Sequence, residues 1–272
     1  MTGPDPALGK LDVDRPSSAR IYDYFLGGAH NFEVDRKAAD DMAKVHPGIG
    51  LGMQANRSYL RRAVRYLSDQ GVDQFLDLGS GIPTVGNVHE IAQRVNPNAR
   101  VVYVDIEPIA VTHSKTILAG NNNATAIQAD LRDPEQVLNH PETLRLLDLS
   151  RPVALVLAGV LQYVDDDSDP AGLIAGYRDR LAGGSYLALS HPSTDNLAED
   201  REAGAKQASS IYQRTATPFT YRTKAQFETF FAGVELVEPG IVLLWDWHPE
   251  SAEDGTAPAG RATGLAGVGR KP

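Results

Sequence analysis

The run Phe75-Leu76-Asp77-Leu78-Gly79-Ser80-Gly81-Ile82-Pro83-Thr84 carries the residue types and spacing with most chemical promise in this 272-residue chain. An apolar run holding one acid leads into two closely spaced glycines and a proline. That order predicts a buried strand, a tight turn and a helix that Pro83 opens. Gly79 and Gly81 permit backbone angles and close approaches that a Cβ would block. A strand–glycine turn–helix unit offers unpaired backbone N–H groups and the positive end of a helix dipole to a ligand. We therefore expect Asp77, Gly79, Ser80, Gly81 and Thr84 to hold a nucleoside cofactor. A buried acid at Asp77 needs partners. Either it braces the glycine loop by accepting backbone N–H bonds, or it faces the amino group of an amino-acid moiety.

More acids follow at matching places. Asp105 ends the apolar run Val101–Val104. A carboxylate there accepts from both hydroxyls of a ribose; the alternative is a cap for the helix opened by Pro108. Asp130 ends the run Ala124–Gln128. Its carboxylate fits an adenine amino group and the Leu131 N–H a ring nitrogen, or Asp130 caps the helix that starts with Pro134 and Glu135. Ala158-Gly159 follows a fourth run, Val153–Leu157. The glycine pattern speaks against a dinucleotide, because position 84 is Thr where a third small residue is wanted, and no P-loop spacing occurs. His191, on a loop after a fifth run, is the candidate general base, since histidine titrates near neutrality; the alternative is a hydrogen bond to the loop backbone. His89 reads as a structural contact, and Trp245 and Trp247 as core. The polar stretch from Glu199 to Arg214 fits a helix over an acceptor site, or a solvated surface helix. His46, His113 and His248 make no recognisable metal spacing, so no metal is expected.

The elements that position these residues alternate along the chain. Strands are expected at Phe75–Leu78, Val101–Val104, Ala124–Gln128, Val153–Leu157 and Ser185–Leu189, with helices at about 86–95, 108–120, 135–147 and 170–182. Near-continuous apolar strands separated by helices indicate an α/β fold with a parallel sheet buried on both faces. In such sheets ligands bind outside the carboxyl ends of the strands, where strand order reverses. Ser17 or Ser18 caps a short helix through Tyr24, closed by Gly27-Gly28. Helices over Asn31–His46 and Met53–Asp69 follow, broken by Gly48–Gly52. Near the carboxyl end, a helix at 223–232 precedes two strands, Val234–Val237 and Ile241–Trp245, read as a hairpin around Pro239-Gly240, and a final piece from Leu265 to Lys271. Residues 1–70 form an amino-terminal extension and helical cap packed on the core, and residues 71–272 the cofactor-binding core, one structural domain overall.

Composition narrows the function classes. A formal net charge of -9 argues against non-specific nucleic-acid binding, which needs Lys and Arg on phosphates. With no cysteine, disulfides, thiolate nucleophiles and cysteine zinc sites are excluded. No secretory signal and no stretch of ~20 apolar residues is present, so a cytoplasmic protein with no membrane partner is expected.

Asp-Leu-Gly-Ser-Gly resembles the cofactor loop of class I S-adenosylmethionine-dependent methyltransferases. Arg20-Ile21-Tyr22-Asp23-Tyr24-Phe25-Leu26-Gly27-Gly28 with Asn31-Phe32, and Gly81 through Glu90, resemble signatures of an actinobacterial S-adenosyl methyltransferase family once catalogued as a domain of unknown function. The likeness continues at Val102–Asp105, Gln128–Asp130, Leu189–His191 and Gly267–Pro272. Ala29-His30 departs from it, where a Lys-Asp-like pair is expected. The resemblance implies a Rossmann-like, seven-stranded, mostly parallel sheet whose last strand is antiparallel. It implies S-adenosyl-L-methionine as donor and S-adenosyl-L-homocysteine as product. It suggests that Arg20–Asn31 lies over the cofactor, with Tyr22 or Tyr24 near the sulfonium and Asn31 or Arg20 on the methionyl carboxylate; otherwise these aromatics staple the cap to the core. The expected contacts are completed by Ile106, Leu131, Ala158 and Gly159. The function read from this is O- or N-methylation of a small molecule, with a secondary metabolite as a plausible acceptor. The alternatives are a non-catalytic S-adenosylmethionine-binding or regulatory protein and an NAD-dependent oxidoreductase. A monomer and a homodimer both agree with the sequence.

Overall fold

Strand β1 (Gln74–Leu78) is buried along its whole length and pairs in parallel with β2 (Arg100–Asp105) on one side and β4 (Ala154–Ala158) on the other. The computed structural model describes residues 14–82, 86–193, 195, 219–250 and 264–272. Beyond β2 lies β3 (Ala124–Gln128), and beyond β4 lies β5 (Tyr186–Pro192), both parallel to their neighbours. The chain thus builds outward from β1 through β2 to β3, then crosses back to β4. Strand order reverses between β1 and β4, which opens a crevice at their carboxyl ends.

Alternation along the strands feeds two cores. Leu76 and Leu78, with Val102, Val104, Leu155 and Leu157, face one side. There they meet α6 (Pro134–Leu138), α7 (Pro141–Leu146), α8 (Pro170–Arg180) and α9 (Lys224–Glu228) through Val137, Leu146, Ile174, Tyr177 and Phe227. Phe75, Val101, Tyr103 and Val156 face the other side. They meet α3 (Ile49–Asp69), α4 (Val88–Val95) and α5 (Pro108–Ile117) through Leu60, Val64, Leu67, Ile91 and Val111. Each such side chain contributes about 1.5–3 kcal/mol by leaving water.

Two short helices precede α3. In α1 (Ser18–Phe25) the cap is Ser17, which accepts from the Arg20 N–H. Ile21 is buried with Ala39 and Met42 of α2 (Glu33–Val45). The helix expected at 135–147 is two helices, because Pro141 cannot extend the first and starts the second. Helix α3 begins at Ile49, four residues before the expected start, and carries Gly50 and Gly52 inside it.

The carboxyl-terminal region corrects the expected hairpin. Strands β6 (Glu235–Leu236) and β7 (Val242–Leu243) do not pair with each other. Both run antiparallel to β8 (Gly264–Arg270), end to end along one edge of it. Strand β8 itself lies beside β5 in a seven-pair antiparallel ladder, from Tyr186–Arg270 to Pro192–Gly264. The eight strands therefore fill seven positions, with β8 antiparallel inside the sheet.

Candidate functional site

The crevice at the β1/β4 switch opens into a cavity of about 330 Å³, within the range of about 300–1,000 Å³ usual for small-molecule sites. Its floor is the glycine turn. Gly79 has φ +69°, and a Cβ there would stand 2.1 Å from a Val160 methyl, so only glycine lets the β1 turn cross beneath the β4 turn. The N–H groups of Gly79 and Ser80 donate to the Val104 carbonyl at 2.8 and 3.1 Å. The Gly81 N–H donates to Asp105 Oδ2 at 2.7 Å. These N–H groups are engaged within the protein, which corrects the expectation that they point at a ligand. The following helix also starts later than expected. It begins at Val88, and its first turn is closed by Glu90, which accepts from the Gly86 and Asn87 N–H groups. Pro83 and Thr84 lie outside the described residues.

Asp105 is fixed from both sides, by Gly81 on Oδ2 and by the Glu107 N–H on Oδ1 at 2.9 Å. It lines the cavity, and burial pushes its carboxyl above the usual carboxylate range. Asp77 lines the cavity nearby. Burial raises its carboxyl to about 7, with Arg57 opposing the rise and Asp105 adding to it. Asp130 also reaches the cavity, held by Arg132 through a bidentate pair; Arg132 keeps its carboxyl low. Asp133, not Asp130, caps α6. Ile106, Leu131, Ala158 and Gly159 complete this part of the wall.

From the amino-terminal side, α1 turns Ser18, Ala19 and Tyr22 toward the cavity while Ile21 faces its own core. Ser17 Oγ donates to the Glu107 carboxylate at 2.6 and 2.8 Å, tying α1 to the end of β2. Tyr22 Oη donates to the Met53 carbonyl at 3.2 Å and accepts from Asn56 Nδ2 at 3.1 Å. Asn31 does not line the cavity. Its amide donates to Asp23 and the Gly28 carbonyl, closing the Gly27–Asn31 turn. Arg20 is likewise committed, to buried Asp35 at 2.7 Å. These two placements correct the expected partners for a carboxylate. The cation that does reach the cavity from this side is Arg57 of α3, which also donates to Asn87 at 2.8 Å.

A second cavity of about 100 Å³ adjoins the first. Tyr22, Asn56, Gly159 and Tyr163 line both. Asn56 is the hub of this shared wall: its amide donates to Tyr22 Oη and the Ala158 carbonyl, and its carbonyl accepts from Ser190 Oγ. Gly159 has φ +73°, and a Cβ on it would come within 2.7 Å of Asn56 Nδ2. His191 lines the second cavity from inside β5, paired with Leu265, not from a loop. Nδ1 lies 2.7 Å from the Pro192 carbonyl and Nε2 lies 2.8 Å from Arg222 Nη1. The first nitrogen must donate and the second accept, so the ring is neutral with both nitrogens engaged. Burial agrees, lowering its pKa to about 3. That state does not fit the expected general base. His89 is a buried contact of Tyr103 Oη, at 2.7 Å. The stretch from Glu199 to Arg214 lies outside the described residues. Among the described residues no group of three or more His, Asp or Glu side chains is arranged to hold a metal.

Sequence reasoning missed Asn56 and Arg57. One signal was available: Asn56 sits four residues before Leu60 and eight before Val64, so a polar amide occupies the buried stripe of α3.

The fold and this switch-point site define a class I S-adenosylmethionine-dependent methyltransferase. Residues 5–272 match the S-adenosyl methyltransferase family, and the chain belongs to it. A crystal structure of a "putative methyltransferase" from Thermobifida fusca is 42% identical, with TM-score 0.89, covering 100% of this chain and 99% of that one. A DUF574 family protein from Streptomyces avermitilis is 40% identical, with TM-score 0.90, covering 96% and 99%. The N-methyltransferase NodS from Bradyrhizobium japonicum, in complex with S-adenosyl-L-homocysteine, shares the fold at 14% identity and TM-score 0.51, covering 93% and 99%. No curated protein matches the chain. Family membership sets aside the nicotinamide-dependent alternative.

Proposed function

We propose that this methyltransferase modifies an oxygen or nitrogen of a small molecule, with S-adenosylmethionine lodged in the larger cavity. The observation that carries the reading is the pair of cavities joined through one wall of Tyr22, Asn56, Gly159 and Tyr163. Two reactants must meet in line, and a shared wall between two chambers suits that need. When bound, the cofactor supplies a methyl group already activated on a sulfonium.

The chain's own part is to bind, orient and exclude water. Asp105 is pinned by two N–H groups, so its remaining lone pairs have a fixed direction suited to ribose hydroxyls. Asp130 and Leu131 stand where an adenine edge is wanted, and Ile106 offers an apolar face. Asp77 and Arg57 suit the ammonium and carboxylate of a methionyl end. Tyr22 offers an aromatic surface at the shared wall, where a cation is favoured. In this reading α1 and α2 act as the cap, with α1 closing the cavity, while α3 belongs to the core face of the sheet. Neither nucleic acid nor membrane is a partner: the chain is acidic, and no described helix is long and apolar enough to cross a bilayer. The reaction belongs in the cytoplasm.

Calorimetric titration tests this. S-adenosylhomocysteine is expected to bind and NAD not to. Asp105→Ala is expected to weaken cofactor binding about tenfold or more, the cost of a lost hydrogen bond to a charged group, with circular dichroism unchanged. Unaltered affinity would leave Asp105 with the loop and the α5 entry as its only duties.

A further inference from the structure

Gln162 lines the smaller cavity and carries a buried polar atom with no partner among the described residues. Gln162, in the turn after β4, is 7% exposed. Its Nε2 donates to the Gly159 carbonyl at 2.6 Å, which fixes the amide's orientation. Its Oε1 is buried and accepts no hydrogen bond from the described residues. A buried acceptor left unsatisfied is costly and calls for a donor.

The surroundings of Gln162 define that donor's carrier. Tyr163, Phe219 and Tyr221 form a tilted aromatic row, with successive ring centroids 5.7 and 5.0 Å apart. Ile49, Met53 and Leu244 supply aliphatic wall. No aspartate, glutamate, lysine or arginine lines the cavity among the described residues. The Arg222 charge behind His191 is already met by Asp166, at 2.8 Å. A cation placed here would lose its hydration with no carboxylate to meet it among the described lining residues, and an anion would meet only His46 and the neutral His191. An apolar cavity of ~150 Å³ accepts one benzene ring, so the scale is that of an aromatic ring.

We propose that this chamber is the methyl-acceptor site and takes an uncharged aromatic ring bearing an O–H or N–H, which donates to Gln162 Oε1. The proposal rests on the methyl-transfer reading and adds the chemical class of the acceptor. Gln162 is its positioning residue. The donor it holds lies one turn from Gly159, at the wall shared with the larger chamber, so the ring is oriented toward the place where the methyl group arrives.

The test uses the full-length protein saturated with S-adenosylhomocysteine and small probes titrated by ligand-observed NMR. p-Cresol carries the O–H and indole the N–H. Toluene lacks a donor, and benzoate carries a charge. Binding of p-cresol or indole is expected about tenfold tighter than toluene, with benzoate weaker still; the stronger of the two donors tells oxygen from nitrogen. Gln162→Leu is expected to bring p-cresol and indole down to the toluene level while leaving S-adenosylhomocysteine binding intact. Ile49→Trp, which fills the chamber, is expected to abolish binding of all three neutral probes. Equal binding of toluene, p-cresol and indole by the wild type, or tightest binding of benzoate, would overturn the proposal without any variant. Failure of S-adenosylhomocysteine to bind, with the probe ranking preserved, would overturn the cofactor assignment and leave the chamber's chemistry standing.

Discussion

Asp77 is the residue where the site's electrostatics are most exposed to measurement. Burial pushes its carboxyl from the ordinary value of 3.8, kept by the unfolded chain, up to about 7. Between those values the unfolded chain has lost a proton that the folded chain keeps, so this group's contribution to stability falls as pH rises across that window and is level on either side, while buried neutral His191 acts with the opposite sign below its ordinary 6.5. Three units correspond to about 4 kcal/mol. Asp77→Asn is expected to remove this contribution, seen between pH 4 and about 7 as urea midpoints that rise more, or fall less, with pH than those of the wild type. Identical pH dependence in variant and wild type would place the retained proton elsewhere. A cationic ammonium beside Asp77 favours the ionised form, so S-adenosylhomocysteine binding near pH 7 is expected to release a proton. Calorimetry in buffers of different ionisation enthalpy reads that release, and its absence would place the ammonium away from Asp77. The gathering of these residues at one place was legible, through the carboxyl ends of the predicted strands. Asp77, Asp105, Asp130 and the Gly79–Gly81 turn all line one cavity. Asn31 and Arg20 are turned from the cavity by Asp23 and Asp35, and His191 makes the backbone hydrogen bond weighed for it, to the Pro192 carbonyl, with Arg222 on its other nitrogen. Residue type and spacing do not reveal such pairing.

At the scale of elements, β8 is the instructive case. Its Gly-Leu-Ala-Gly-Val-Gly-Arg sequence has weak strand preference. The glycines are there for what packs over them. A Cβ on Gly269 would stand 2.4 Å from a Val234 methyl, and one on Gly264 would stand 2.2 Å from Leu244. The β6 and β7 region lies so close that no larger residue fits. Gly269→Ala is therefore expected to destabilise the fold by about 1–3 kcal/mol through overpacking, read as a lower urea midpoint at unchanged m value; an unshifted midpoint would mean that Val234 yields freely. Local composition hid this strand because its stability comes from seven ladder pairs with β5, contacts that appear only once the sheet exists. The hairpin reading failed likewise: Pro239-Gly240 is a turn, but the strands beside it pair with β8 and not with each other. The parallel strands β1 to β5 were readable because burial on both faces writes continuous apolar runs into the chain.

For the whole molecule, the amino-terminal helix and the sheet edge act on the same cavity. α1 reaches it through Ser18, Ala19 and Tyr22 and is tied down by Ser17 on Glu107 and Tyr22 on Met53. A ligand bound under α1 stabilises the folded chain by mass action, about 2.7 kcal/mol at a hundred times its Kd. Saturating S-adenosylhomocysteine is thus expected to raise the melting temperature and to slow amide exchange in residues 18–25 more than in α7, at the opposite end of the sheet. Uniform slowing, or none in α1, would remove the helix as a cover.

The position of β8 also imposes an order on biosynthesis. It follows every other described strand yet lies between β5 and the pair β6 and β7. While the chain emerges from the ribosome, β5 keeps an unpaired edge, and β6 and β7 have nothing to join. Such an edge is a template for pairing with other chains. The nascent protein therefore carries an open sheet edge, and a risk of aggregation with it, until β8 has been made and has taken its place beside β5.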